Sequence, residues 1–146
     1  LKNAYIIQCD EVVHDPKTGE IAELRCTYIP ESRSGSDTSG LKVKSTIHWV
    51  SAPHALKCEA RIYDRLFLDE APDAHEGRDF KEFLNPDSLQ VIDTIFVEPS
   101  LANAQTGDRY QFLRKGYFCV DPDSTADKLV FNRTVTLKDG WAKAAK

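Results

Sequence analysis

The chain has 146 residues, 41% of them hydrophobic and 29% charged, which is the composition of a folded protein and not of a disordered one. No apolar run approaches the roughly 20 residues of a membrane helix, and a net charge of −4 argues against a generic nucleic-acid surface. The absence of any methionine, including an initiator, predicts a fragment of a longer protein.

Short strands separated by turns dominate the first half of the chain. Residues 4–13 are apolar and β-branched, and they run through a turn segment (HDPKTGE) into the alternating residues 21–29, which is typical of a β-hairpin. The Ser- and Gly-rich residues 30–40 predict a flexible loop. Alternation of apolar and polar residues predicts half-buried strands over 41–50 and 58–68.

The second half continues in the same manner. Residues 69–80 are acidic and predict a polar loop, and residues 79–88 predict a short helix that stops before Asn-Pro, because a residue before proline avoids the α conformation. Further strands are predicted over 89–99, 110–121 and 127–139, with a tight turn inside the second. Many short strands with little helix predict an all-β barrel or sandwich.

The four cysteines do not form a metal-binding pattern. Cys9, Cys26, Cys58 and Cys119 are far apart in sequence and include no CxxC pair, whereas a structural zinc site uses closely paired ligands. We therefore expect free thiols, mostly buried, in a reducing cytoplasm.

Motifs of nucleophilic, zinc-dependent or phosphate chemistry are missing from the sequence. There is no GxSxG, HExxH or glycine-rich phosphate loop. His14 and His75 fall in polar turn or loop segments, and His48 lies in a predicted strand beside Trp49, where a structural role is expected. These residues alone predict a chain without catalytic activity.

Aromatic and basic residues interleave in the segment RYQFLRKGYF, residues 109–118. From residue 109 to the end, eight Lys and Arg residues outnumber four Asp residues. If Tyr110 and Phe112 pack inward, Gln111 points outward, and its amide offers a donor and an acceptor to a base edge. An ordinary hairpin with a solvated polar face and a core of aromatics explains the same segment, and the pattern alone favours it over RNA binding, which stays open as the alternative.

Seven motifs carry a family resemblance. They are LKNAYII, IHWVSAPHAL, IYDRLF, FLNPDSL, VEPSLANA, YQFLRKGYFCVD and VFNRTVTLKDGWAK. In this order they resemble the C-terminal part of glutaminyl-tRNA synthetases, over essentially the whole chain. Glutamyl-tRNA synthetases of archaeal and eukaryotic type share the architecture, but the last two motifs are more similar to the glutaminyl branch.

The resemblance implies an all-β fold of two small β-barrels that bind the tRNA anticodon, partly truncated on the N-terminal side. We expect residues 1–70 to belong to the first, distal-type barrel and residues 71–146 to the second, proximal-type barrel. The parent protein would be a cytoplasmic enzyme that ligates glutamine to its tRNA with ATP and magnesium. Its catalytic Rossmann-type domain lies upstream in the family, and no HIGH-like or KMSKS-like segment occurs here. We therefore expect no catalytic residue, cofactor or metal site in this chain.

The resemblance also assigns four RNA-binding residues. Gln111 matches the glutamine that reads the central anticodon uridine, and Arg114 matches an arginine near the anticodon bases. Lys2 stands where the family can have an arginine beside the first anticodon base; lysine keeps the charge but loses the bidentate fork, which leaves a backbone contact. Lys138 stands where the family carries a basic residue in the C-terminal strand.

The expected partners are the anticodon loop of a tRNA and the upstream catalytic domain of the same chain, in a monomer with no membrane association. Two alternatives stay open. One is the same module of a glutamyl-tRNA synthetase, and the other, from a different class, is a β-barrel that binds proteins and has no role with RNA.

Overall fold

A computed structural model describes residues 1–137, which form an all-β protein. The strands are β1 (Ile7–His14), β2 (Ile21–Tyr28), β3 (Leu56–Tyr63), β4 (Leu89–Val97), β5 (Arg109–Phe112), β6 (Gly116–Val120) and β7 (Val130–Val135). Short 3₁₀ helices cover Pro30–Ser32, Phe80–Phe83 and Pro99–Asn103. Within these residues there are two sheets, and neither closes into a barrel. None of the helices found up to residue 137 has the length and apolar character needed to cross a membrane.

The chain divides into two compact units, Leu1–Trp49 and a second that begins at Val50. This division falls before the one expected after residue 70. The assignment of residues 1–70 and 71–146 to two barrels of a parent protein stays a prediction.

The first unit is built on the antiparallel β1–β2 hairpin, as the sequence predicts. The register runs from Ile7 opposite Tyr28 to His14 opposite Ile21, with a bulge after Cys9. One face is charged, because Arg25 pairs with Glu11 and Glu23, each at 2.9 Å.

The strand predicted over 41–50 is wrong. That segment is extended without a sheet partner among the described residues, and its apolar side chains Leu41, Val43 and Ile47 are about half exposed. Its anchor is instead a pair of hydrogen bonds: the Lys2 amide donates to the Ile47 carbonyl, and the Trp49 indole donates to the Lys2 carbonyl, both at 2.9 Å. An alternating pattern of apolar and polar residues becomes a β-strand only where a second strand is available to form the backbone hydrogen bonds.

The second unit is a five-stranded mixed sheet in the order β4-β3-β7-β6-β5. All neighbours are antiparallel except β3 and β7, which run parallel from Glu59 opposite Val130. The core lies on one face of this sheet and consists of Cys58, Ala60, Val97, Leu101, Phe118, Val120 and Phe131. The order leaves β5 at an edge of the sheet, which exposes the hairpin that it forms with β6.

Ion pairs hold β3 against the loop that leads into β7. Glu59, whose side chain is only 8% exposed, accepts from Arg61 at 2.8 Å and from Lys128 at 2.5 Å. Arg61 also reaches Asp123 at 2.7 Å. The Lys128 ammonium and the Arg61 guanidinium hold the pKa of the Glu59 carboxyl below its usual value. These ion pairs tie β3 to the segment just before β7, which supports the parallel pairing of the two strands. Strand β6 pairs with the other edge of β7, so its position depends on where β7 lies.

Candidate nucleic-acid interface

A three-residue turn joins β5 to β6. The Phe112 carbonyl accepts from the Lys115 amide at 2.9 Å, and Phe112 then pairs with Gly116 at the start of β6. Arg114 occupies the left-handed conformation with φ +62°, which is uncommon for a residue with a side chain. Turns of this kind often have glycine at the left-handed position, so the sequence accepts backbone strain to keep an arginine there.

The inner side of the hairpin is an aromatic wall. The Phe112 ring stacks on Phe118 with a centroid separation of 4.4 Å and lies 5.1 Å from the ring of Phe131. Tyr110 meets Phe131 edge-on at 6.2 Å, and its hydroxyl donates to Asp108 at 3.3 Å. Burial, with the Asp108 carboxylate beside it, raises the pKa of the Tyr110 phenol and keeps it neutral. These rings hold the hairpin rigidly against the core.

The outer side of the hairpin carries Gln111 and Tyr117, which lie directly opposite each other on β5 and β6. Gln111 is exposed and Tyr117 is 45% exposed. Within residues 1–137 neither the Gln111 amide nor the Tyr117 hydroxyl makes a hydrogen bond, so both are available to a ligand. An unpaired amide beside an exposed aromatic ring is suited to a flat, hydrogen-bonding group such as a nucleobase.

Unpaired cations surround this face. Arg109 on β5 and Arg114 and Lys115 in the turn are exposed, and none of them makes a salt bridge with any residue up to Leu137. Arg133 on β7 lies on the other side of the sheet, because it is directly opposite Phe118 and Ile62; it is half-buried there, with its stem close to Gly116. Arg133 likewise has no acidic partner in the described chain. The hairpin therefore presents positive charge that is not neutralised internally.

The structure brings together two of the four residues assigned from the sequence. Gln111 and Arg114 share the β5–β6 hairpin of the second unit. Lys2 belongs to the first unit, where its side chain is exposed and its backbone anchors Trp49 and Ile47. Lys138 lies outside the described residues. The RNA-binding roles of all four remain predictions.

Tyr117 is the site residue that the sequence did not reveal. Alternation along the first strand of the hairpin assigned sides only to Tyr110, Gln111 and Phe112, and the structure places Tyr117 on the face of Gln111. The signal was available: a three-residue turn that pairs Phe112 with Gly116 also pairs Gln111 with Tyr117. The cysteine expectation also needs correction, since only Cys58 is buried, Cys119 is intermediate, and Cys9 and Cys26 are exposed.

The sequence of this chain is similar to those of known proteins. Residues 46–121 match the family described as tRNA synthetases class I (E and Q), anti-codon binding domain. The chain is 54% identical over 144 residues to a glutamine–tRNA ligase of Rhodopirellula baltica and 53% identical over 146 residues to one of Proteus mirabilis, with 98% and 100% of this chain covered. It spans 24% and 26% of those proteins, about a quarter of their length.

Proposed function

The chain belongs to the family of anticodon-binding domains of the class I tRNA synthetases for glutamate and glutamine, and we propose that it is the anticodon-binding part of a glutamine–tRNA ligase. Its partner is then the anticodon loop of a glutamine tRNA. The observation that carries this proposal is the outward face of the β5–β6 hairpin, where Gln111 and Tyr117 lie together, unpaired, among free cations.

Each group on this face has a distinct task in the proposed complex. The Gln111 amide donates to and accepts from the edge of the central anticodon uridine, a pairing for which its two ends are suited. The Tyr117 ring gives an unstacked base a surface to stack on. Arg114, on the turn, contacts bases or phosphate. Lys2, which belongs to the first unit and not to this face, contacts the RNA backbone near the first anticodon base.

We further propose that strands upstream of Leu1 complete the two β-barrels. The β1–β2 hairpin supports this, because Val12, Leu24 and Tyr28 on it are each about half exposed. A two-stranded hairpin with so much apolar surface is marginally stable alone and needs further strands to cover it. The boundary near residue 70 and the C-terminal contact from Lys138 belong to this same proposal.

The ligase reaction itself is assigned to the upstream part of the parent protein. That part would bind ATP and magnesium and join glutamine to the tRNA, in a cytoplasmic monomer. Among residues 1–137, no three His, Cys, Asp or Glu side chains are grouped so that they could hold a metal ion. The contribution of this chain is recognition.

The proposal is tested by titrating the full-length protein with anticodon stem–loops at two salt concentrations. Phosphate contacts make RNA affinity fall with salt, so we expect tight, salt-dependent binding of the glutamine stem–loop. A preference for the glutamate stem–loop would identify the module of a glutamyl-tRNA synthetase. No binding of either stem–loop would favour a protein-binding domain.

A further inference from the structure

Cys9 on β1 and Cys26 on β2 lie directly opposite each other in the hairpin of the first unit, and both are exposed. Directly paired residues in antiparallel strands have Cα atoms about 4.5–5.5 Å apart. Disulfides span Cα separations of roughly 4.4–6.8 Å. The strand register therefore places the two cysteines at a Cα separation that a disulfide can span, next to the bulge that follows Cys9.

The surroundings leave these thiols facing each other. On the opposite side of the hairpin, Thr27 donates to Asp10 at 2.7 Å and Arg25 pairs with Glu11. On the thiol side, alternation places Cys26 between Leu24 and Tyr28. Local burial raises the pKa of the Cys26 thiol, and the neighbouring Cys9 thiol raises it further, as expected for two sulfurs in contact.

We propose that Cys9 and Cys26 form a reversible redox pair, which a small-molecule disulfide such as glutathione disulfide converts to a cross-strand disulfide. One protein thiol loses its proton and attacks a glutathione sulfur, which forms a mixed disulfide and releases one glutathione. The second thiol loses its proton and attacks the protein sulfur of that mixed disulfide, and the second glutathione leaves. Two protein thiols are oxidised, and one glutathione disulfide is reduced to two glutathione molecules.

The other two cysteines serve as internal controls. Cys58 is buried on β3, so its thiol is shielded from a small-molecule disulfide, whereas Cys9 and Cys26 are exposed. Cys119 on β6 lies opposite Arg109 and Asn132 and so has no thiol across either neighbouring strand. The proposal is therefore specific to one pair.

The test is oxidation of the folded full-length protein with graded ratios of glutathione disulfide to glutathione, followed by alkylation, trypsin and mass spectrometry. Trypsin separates the two sites, because Lys17 and Arg25 are cleavage points between them. We expect the Cys9–Cys26 crosslinked peptide to appear first and to disappear with dithiothreitol. Cys58 and Cys119 should remain alkylated as free thiols at the same ratio.

Single substitutions test the second step, in which the remaining protein thiol attacks the mixed disulfide. In Cys26→Ser or Cys9→Ser the remaining thiol has no partner, so a stable one-glutathione adduct should accumulate where the wild-type protein shows the crosslink. Both sites are exposed, so serine should leave the fold intact, which circular dichroism checks. The proposal is overturned if the wild-type protein accumulates the same adduct without a crosslink. It is equally overturned if Cys9 and Cys26 react no faster than Cys58.

Discussion

Gln111 and Tyr117 face each other across the β5–β6 hairpin, with an amide on one strand and a half-exposed aromatic ring on the other. The wall formed by Phe112 and Phe118 supports the backbone beneath them, so the two strands keep Gln111 and Tyr117 adjacent before any ligand arrives. Preorganisation of this kind reduces the entropy lost on binding.

Replacement of Gln111 by Ala should remove base-edge recognition. We expect cognate binding to weaken by about 1–3 kcal/mol, the range of a bidentate base contact, and the preference for uridine over cytidine at the central position to narrow. Titration of the full-length protein with paired stem–loops measures both. Gln90→Ala, an exposed amide on the far edge strand of the same sheet, should change neither. Unchanged discrimination with native thermal stability would make Gln111 a solvated strand residue only.

Tyr117 should act through its ring and not through its hydroxyl. Tyr117→Ala is expected to cost about 1–3 kcal/mol of RNA affinity, the range for loss of one stacking partner, whereas Tyr117→Phe should retain affinity. Tyr63→Ala is a matched control, since Tyr63 is 46% exposed on β3 in the same sheet. If Tyr117→Phe binds RNA as weakly as Tyr117→Ala, the hydroxyl makes the contact and the stacking role is refuted.

The two sides of this hairpin differed in how well the sequence predicted them. Apolar alternation placed Tyr110 and Phe112 inward because burial repeats every second residue along one strand. The side occupied by Tyr117 depends on the length of the turn, and an error of one residue there reverses the face. The parallel pairing of β3 with β7 was beyond local pattern, since nothing near Glu59 in sequence indicates that Val130 will lie beside it.

Gly116 should be required for the shape of the hairpin. It has φ +136°, and a Cβ there would lie 2.6 Å from the Val135 carbonyl oxygen. Gly116→Ala is expected to destabilise the fold by at least about 1–3 kcal/mol, the cost of a strained residue with a backbone clash added. Gly107→Ala isolates the strain, because it has φ +91° and open space around it. Equal losses in denaturant unfolding would show that the Val135 contact relaxes at no cost.

The Glu59 network should make stability depend on pH in the acid range. Because the pKa of Glu59 is lowered in the folded state, chiefly by Lys128, its stabilisation is complete above the ordinary glutamate pKa of about 4.3 and is lost as the pH falls through the lowered value. We expect Glu59→Gln to flatten the decline of the unfolding midpoint in this range. Glu98→Gln, exposed and without an ion pair among residues 1–137, should leave the slope unchanged. An identical slope in Glu59→Gln would show that other carboxylates control acid unfolding.

Substitutions of Arg114 should affect folding stability and RNA affinity in different ways. The left-handed backbone at this position favours glycine, whereas the proposed RNA contact needs the arginine side chain. A left-handed residue with a Cβ costs about 1–2 kcal/mol, which glycine avoids. Arg114→Gly should therefore leave the melting temperature unchanged or raised, although glycine also gains freedom in the unfolded chain. RNA affinity should nevertheless fall, and the slope of log K against log salt should decrease by about 1 if the guanidinium contacts phosphate.

Three further variants distinguish the effects of charge, side-chain shape and backbone strain at this turn. Arg114→Lys keeps the charge without the bidentate fork, so it should retain the salt slope but lose part of the affinity. Arg114→Ala loses the charge and keeps the strain, so it should bind like the glycine variant but melt below it. Lys115→Ala removes the neighbouring charge from a residue whose φ is not left-handed.

If Arg114→Gly gains stability and binds the stem–loop like the wild-type protein, the arginine has no role in recognition. If Lys115→Ala loses as much affinity as Arg114→Gly, the turn contributes only diffuse positive charge and the specific contact assigned to Arg114 is wrong.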